Sequence, residues 1–244
     1  MTSKNYSRLY IPTSINSGSP IHTSPEQAHY LHKVMRLKIA DQVLIFNGID
    51  GEWLMEIQTI SRKSAALSLV EQTREQPKMN PGPRLFFAPI KKSRMTFLME
   101  KATELGVSTF FPVTTQHTNS NVPNLQRMAA HVVEASEQCR RLTVPGVMPP
   151  APLETCLDQW PDQQILFWLD ETEGGHPLIH AFDQFQSKLP NCGFIIGPEG
   201  GFSPQEQKML TSHKSVVPVS LGPIILRSET AALASLANWQ QWAS

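Results

Sequence analysis

Two glycine-rich segments near the C-terminus hold the residue types best suited to chemistry. They are Gly197-Pro198-Glu199-Gly200-Gly201 and Leu221-Gly222-Pro223-Ile224-Ile225-Leu226-Arg227-Ser228-Glu229-Thr230-Ala231. Glycine lets the backbone turn sharply and approach a ligand closely. Each segment follows a short apolar run and opens a helical pattern, the position at which α/β sheets bind ligands. The second glycine turn starts about 25 residues after the first, a spacing that puts the two side by side at the ends of adjacent strands.

The residues argue against a phosphate cradle. Neither Gly-Lys-Ser/Thr nor G-x-G-x-x-G is present, and Glu199 would set a negative charge against a phosphate. A cationic ligand with a hydroxylated ribose and no phosphate suits the loop better, and S-adenosylmethionine has those properties. Leu221, Ile225 and Leu226 offer apolar walls for a flat adenine, and loop amides and carbonyls can bond its edge. Arg227, Glu229 and Thr230 crowd polar groups at the start of the last helix. Either loop alone also reads as an ordinary tight turn; the pair points to a site.

The elements that must hold these loops follow from patterning. Glu75–Pro83 has three prolines and a glycine in nine residues and reads as a linker. It separates a domain over residues 1–74 from one over 84–244. The first contains strand-like runs at Arg8–Pro12, Val43–Phe46, Trp53–Ile57 and Ala65–Val70, with a hairpin turn at Asn47–Gly51 and a helix from Ser24 to Arg36. A small barrel suits it. Beyond the linker, strands at 84–88, 107–113, 165–169, 194–196 and 216–221 alternate with helical stretches, including 95–105 and 124–141. That alternation predicts an α/β domain with a mostly parallel sheet covered by helices. Ser203, Pro204 and Glu206 form a helix-start signature after the first loop.

Formal net charge is zero, yet the charges are unevenly spread. Residues 1–142 carry 17 Lys and Arg against 11 Asp and Glu, and residues 143–244 carry 4 against 10. A basic first part beside an acidic remainder fits a nucleic-acid face on one part and a phosphate-free cofactor in the other; solvated charged surfaces would look the same. The three cysteines, Cys139, Cys156 and Cys192, lack any Cys-x-x-Cys and fit reduced thiols. No run of 18 apolar residues and no leader pattern is present, so a soluble cytoplasmic protein with no membrane partner is expected. His29 with His32, and His176 with His180, are spaced to share a helix face, but neither pair has a third ligand nearby; no metal is expected.

Gly-Pro-Glu-Gly-Gly-Phe together with Leu-Gly-Pro-Ile-Ile-Leu-Arg-Ser-Glu-Thr-Ala resembles the signature of the RsmE family of 16S ribosomal RNA uridine N3-methyltransferases, in the SPOUT superfamily. Lys91–Arg94, Met99–Val107, Glu134–Arg141 and His29–Leu37 resemble other family blocks, so the likeness spans nearly the whole chain. The resemblance implies a PUA-like barrel, a SPOUT domain with a trefoil knot, a homodimer with RNA bound across both subunits, and 16S rRNA of the small ribosomal subunit as partner. Ser228 stands where a threonine is expected, and the hydroxyl is kept.

The cofactor set is then Leu169, Ile196, Gly197, Glu199, Gly200, Gly201, Leu221, Gly222, Ile225, Leu226, Thr230 and Ala231. Methylating uracil N3 requires loss of its proton, a base drawn from its stack, and stabilised charge on the uracil oxygens. Arg227 is the candidate for that charge, and Glu229 orients Arg227 or accepts the proton. Arg8, Lys33, Arg36, Lys91, Lys92 and Arg94 are the expected phosphate contacts, with Glu137, Gln138 and Arg140 holding the target nucleotide or forming a solvated helix face. A non-catalytic, dimerising RNA-binding protein of ribosome assembly is the alternative, and it predicts no cofactor in the glycine loops. A nucleotide-phosphate enzyme would need a basic residue there.

Overall fold

The computed structural model describes residues 6–15, 19–78, 82–118, 123–171 and 174–243. Two compact units emerge: residues 1–79 with 136–144, and residues 80–135 with 145–244. Residues 79–81 of the expected linker lie outside the described residues.

The first unit contains β1 (Arg8–Tyr10), β2 (Ile21–His22), α1 (Pro25–His29), a π-helical turn (Tyr30–Val34), β3 (Gln42–Phe46), β4 (Glu52–Ile60) and β5 (Ala65–Arg74). The strands form one sheet in the order β1-β3-β4-β5-β2, antiparallel except for the β1–β3 pair. Alternate residues such as Val43, Ile45, Met55, Ile57 and Leu67 point into a common core with Leu9, Ile11 and Leu31, as a half-buried sheet requires. Between β3 and β4, Asn47 Oδ1 accepts the N–H groups of Ile49 and Asp50. The predicted helix over 24–36 is split. Ser24 and Gln27 form a capping box and Pro25 opens α1, but the backbone passes into the π turn and ends with Arg36 at φ 56°. Trp53 packs partly buried against this core, its indole N–H donating to the Asp50 carbonyl.

The second unit contains β6 (Arg84–Phe87), α2 (Lys92–Glu104), β7 (Thr109–Thr114), α3 (Leu125–Gln138, whose end from Ser136 belongs to the first unit), β8 (Gly146–Val147), β9 (Ala151–Pro152), α4 (Leu153–Asp158), β10 (Leu166–Leu169), β11 (His176–Pro177), α5 (Leu178–Gln184), a 3-10 turn (Gln186–Asn191), β12 (Gly193–Ile196), α6 (Pro204–Ser212), β13 (Val216–Ser220) and α7 (Ser228–Ala243). Every strand pairing is parallel, in the order β11-β13-β10-β12-β6-β7-β8, with β9 on β7. Parallel sheets need both faces covered, which is why the strands are short continuous apolar runs. All of β12 is buried, and Phe167 stacks on Phe194 with ring centroids 5.7 Å apart. The short strands β8, β9 and β11 carry no sequence pattern of their own. His176 falls in β11 while His180 lies in α5, so this pair does not share a helix face.

Candidate active site

Strands β13, β10 and β12 are neighbours, so Ser220, Leu169 and Ile196 end side by side at the carboxyl edge of the sheet. The loops that follow them enclose a cavity of about 470 Å³, within the range of small-ligand sites.

The first glycine loop leaves β12 and turns at once. Gly201 N–H donates to the Pro198 carbonyl at 2.9 Å, and Gly201 sits at φ +67°, where a side chain is strained. A Cβ there would come within 2.5 Å of Glu171 Oε1. Ser203 and Glu206 then close a capping box that starts α6, and Glu206 also accepts the Gln116 N–H. His117 Nδ1 lies 3.1 Å from the carbonyl oxygens of both Gly200 and Gly201 and braces the loop from outside. The second loop turns at Gly222, at φ +116° with open space around its α-carbon, and leaves Ile224 and Ile225 75% and 77% exposed. One hydrogen bond joins the two loops: Ser228 Oγ donates to the Gly197 carbonyl.

Of the expected cofactor set, Leu169, Ile196, Gly197, Glu199, Gly201, Leu221, Gly222, Ile225, Leu226 and Ala231 line the cavity. Gly200 turns toward His117 and Thr230 is exposed beyond the lining. Arg227 is exposed and lines the cavity; Glu229 is buried behind it in the first turn of α7. Sequence reasoning missed Asp170, Glu171, Phe202, Gln207, Ser220 and Ser228, which also line it. The signal for Asp170 and Glu171 is their place directly after a buried strand, where ligand loops begin.

The basic residues divide. Lys33, Arg36, Lys91 and Lys92 are exposed, as a phosphate contact requires, and so are Gln138 and Arg140. Arg8 corrects the expectation. Its side chain and that of Glu52 are each only 6% exposed and form an ion pair at 2.5 Å. The same guanidinium donates to the carbonyls of Ser136 and Arg141 and lies 3.6 Å over the Phe46 ring. Burial lowers its pKa, opposed by Glu52, and no face of it is presented to a phosphate. Glu137 is likewise used internally, accepting the Tyr10 N–H at 2.8 Å. Arg94 is neither free nor remote: it lines the cavity and pairs with Glu199 and Glu229.

Among the described residues, no group of three or more His, Cys, Asp or Glu is placed to hold a metal. No described helix is long and apolar enough to cross a membrane.

Residues 79–240 match the family described as RNA methyltransferase domain, and residues 23–70 match the RNA methyltransferase PUA domain. The Ribosomal RNA small subunit methyltransferase E of Rickettsia conorii is 33% identical over 96% of this chain and 94% of its own length. The chain belongs to the RsmE family. Its Bacillus subtilis relative of the same name is 28% identical, with 86% of each chain covered. A Legionella pneumophila methyltransferase solved with bound S-adenosylmethionine superposes with a TM-score of 0.85 at 26% identity, over 98% of both chains. The RsmE protein of Neisseria gonorrhoeae has the same fold, with a TM-score of 0.85 and 97% of this chain covered. The first unit of this RsmE family member is therefore PUA-like, and the second has the α/β fold of these methyltransferases.

Proposed function

We propose that this chain transfers a methyl group from S-adenosylmethionine to ribosomal RNA of the small subunit. The observation that carries this function is the cavity at the joined ends of β10, β12 and β13, where both glycine loops and Arg227 meet. The lining fits the cofactor. Leu169, Leu221, Ile225 and Leu226 offer apolar surface for a base, and Glu171 suits a cationic ligand. S-adenosylmethionine, when bound, supplies a sulfonium-activated methyl group.

The target is N3 of a uridine, and the chain's own residues do the rest. Arg227 reaches the cavity from the end of the second loop and stabilises charge on the uracil oxygens once the N3 proton is lost. Ser228 holds the two loops in register through Gly197. Lys33, Arg36, Lys91 and Lys92 supply phosphate affinity, and Gln138 and Arg140 approach the target nucleotide.

The working form is a cytoplasmic homodimer. The proposed domain division is 1–74, a linker at 75–83, and 84–244. A trefoil knot in the C-terminal part belongs to the same proposal; β13 supports it by lying between β10 and β11 although it follows both in the chain.

Transfer of radiolabelled methyl to purified, unmodified small subunits tests the function, with the product nucleoside identified by mass spectrometry. 3-Methyluridine at one position is the expected result. Cofactor binding without transfer would sink the substrate assignment, and absence of both would favour the non-catalytic RNA-binding alternative.

A further inference from the structure

We infer that Arg94 takes a backbone phosphate of the substrate RNA, and that Glu199 occupies its guanidinium until that phosphate arrives. The inference rests on the RNA-methylating function proposed above.

Arg94 lies in the first turn of α2 and serves two carboxylates at once. Its Nη1 meets Glu199, and its Nε lies 3.5 Å from Glu229 Oε1. The two partners differ in kind. The Glu229 side chain is 10% exposed, and its Oε2 is buried with no hydrogen-bond partner among the described residues. A buried carboxylate deprived of its cation is strongly destabilising, so Glu229 keeps Arg94 in place. Glu199 is 50% exposed and rides on the first glycine loop. An exposed ion pair contributes little, so this contact is exchangeable.

A guanidinium binds two oxygens of a carboxylate or of a phosphate in the same forked geometry. Glu199 meets one arm of that fork, Nη1, and so stands where one oxygen of an anionic ligand would sit. The neighbourhood selects RNA. Lys91 and Lys92 are exposed three and two positions before Arg94, and α2 starts without a side-chain cap on Lys91, which leaves the positive end of the helix to add to the field. Consecutive exposed cations describe a path for a phosphate backbone. The carboxylate of the cofactor is the other anion of matching shape, and the test separates the two.

Steady-state transfer to small subunits is measured for wild type, Glu199→Gln, Arg94→Ala and the double variant, across a salt series, with cofactor affinity by calorimetry. Glu199→Gln should lower KM for subunits by about two- to fivefold, the worth of an exposed ion pair. Arg94→Ala should raise it about tenfold and reduce the salt slope by about one phosphate contact. In the Arg94→Ala background the Gln substitution should do nothing. A rise in KM for Glu199→Gln matching that of Arg94→Ala would make the pair a structural strut and overturn the inference. So would a change in cofactor affinity with KM for subunits unmoved, which assigns Arg94 to the cofactor carboxylate. Glu199 is exposed, so Glu199→Gln alone carries the test if Arg94→Ala does not fold. A wild-type chain that transfers no methyl would overturn the methylation function itself, a separate failure.

Discussion

Ser228 Oγ donates to the Gly197 carbonyl at 2.9 Å, across 31 positions of sequence. This bond is the direct tie between the two glycine loops, and it joins the first residue of α7 to the first residue after β12. Ser228→Ala should cost about 1 kcal/mol of stability and weaken cofactor binding about fivefold. Ser228→Thr keeps the hydroxyl and should behave as wild type. Calorimetric titration with S-adenosylmethionine checks both, and equal affinity for the Ala variant would mean the loops hold their register without this bond.

Arg227 is exposed at the cavity. Arg227→Ala should leave stability within about 0.5 kcal/mol of wild type while lowering turnover by about a hundredfold or more, the usual loss of a preorganised charge partner. Turnover near wild type would remove Arg227 from the chemistry.

Gly201 tests where the cofactor lies. Its φ of +67° strains any side chain, and a Cβ there would also have to displace the Glu171 carboxylate. Gly201→Val should weaken cofactor binding by about tenfold or more. At Gly200 the φ is not positive and a Cβ would meet His117 Cβ at 3.3 Å, outside the cavity lining. Gly200→Ala should therefore be milder, and the reverse order of effects would place the ligand elsewhere.

Arg8→Ala should destabilise the first unit by about 3–5 kcal/mol, because Glu52 is left buried without its cation. Arg8→Lys should rescue only part of this, since one ammonium cannot replace a fork serving Glu52, Ser136 and Arg141. Urea unfolding measures the loss. A stable Arg8→Ala variant with a reduced salt slope for RNA would restore the phosphate role.

Burial pushes the Cys156 thiol up to about 11 and raises that of Cys192 as well. A thiol raised in the folded state stabilises fully below its unfolded value. Cys156 should therefore contribute unchanged stability below pH 9.0 and lose it as pH climbs to about 11. At neutral pH iodoacetamide should modify the partly exposed Cys139 first and reach Cys156 and Cys192 only on unfolding. Early labelling of Cys192, followed by mass spectrometry, would contradict its burial.

The glycine loops and the alternating strands were legible because each has local grammar: Ser203-Pro204 with Glu206 announces α6, and Phe194–Ile196 announces a buried strand. Partner choice is not local. Nothing near Arg8 says that its charge meets Glu52, or that residues 136–144 join the first unit. Arg94 sits among lysines in sequence, yet it pairs with acids 105 and 135 positions away. His176 shows the same limit, since the two-residue strand β11 exists only because β13 offers it a ladder.

Strand β13 lies between β10 and β11, though both are made before it. The cavity thus draws most of its walls from three stretches, residues 168–171, 196–202 and 219–228, and the last of them supplies Arg227 and the Ser228 tie. During synthesis the PUA-like unit and most of the sheet emerge first. A nascent chain stopped short of Val216 would lack the third wall, Arg227 and the Ser228 tie. Activity therefore switches on only after the final stretch has found its slot, so an unfinished chain cannot act on the RNA of the particles around it.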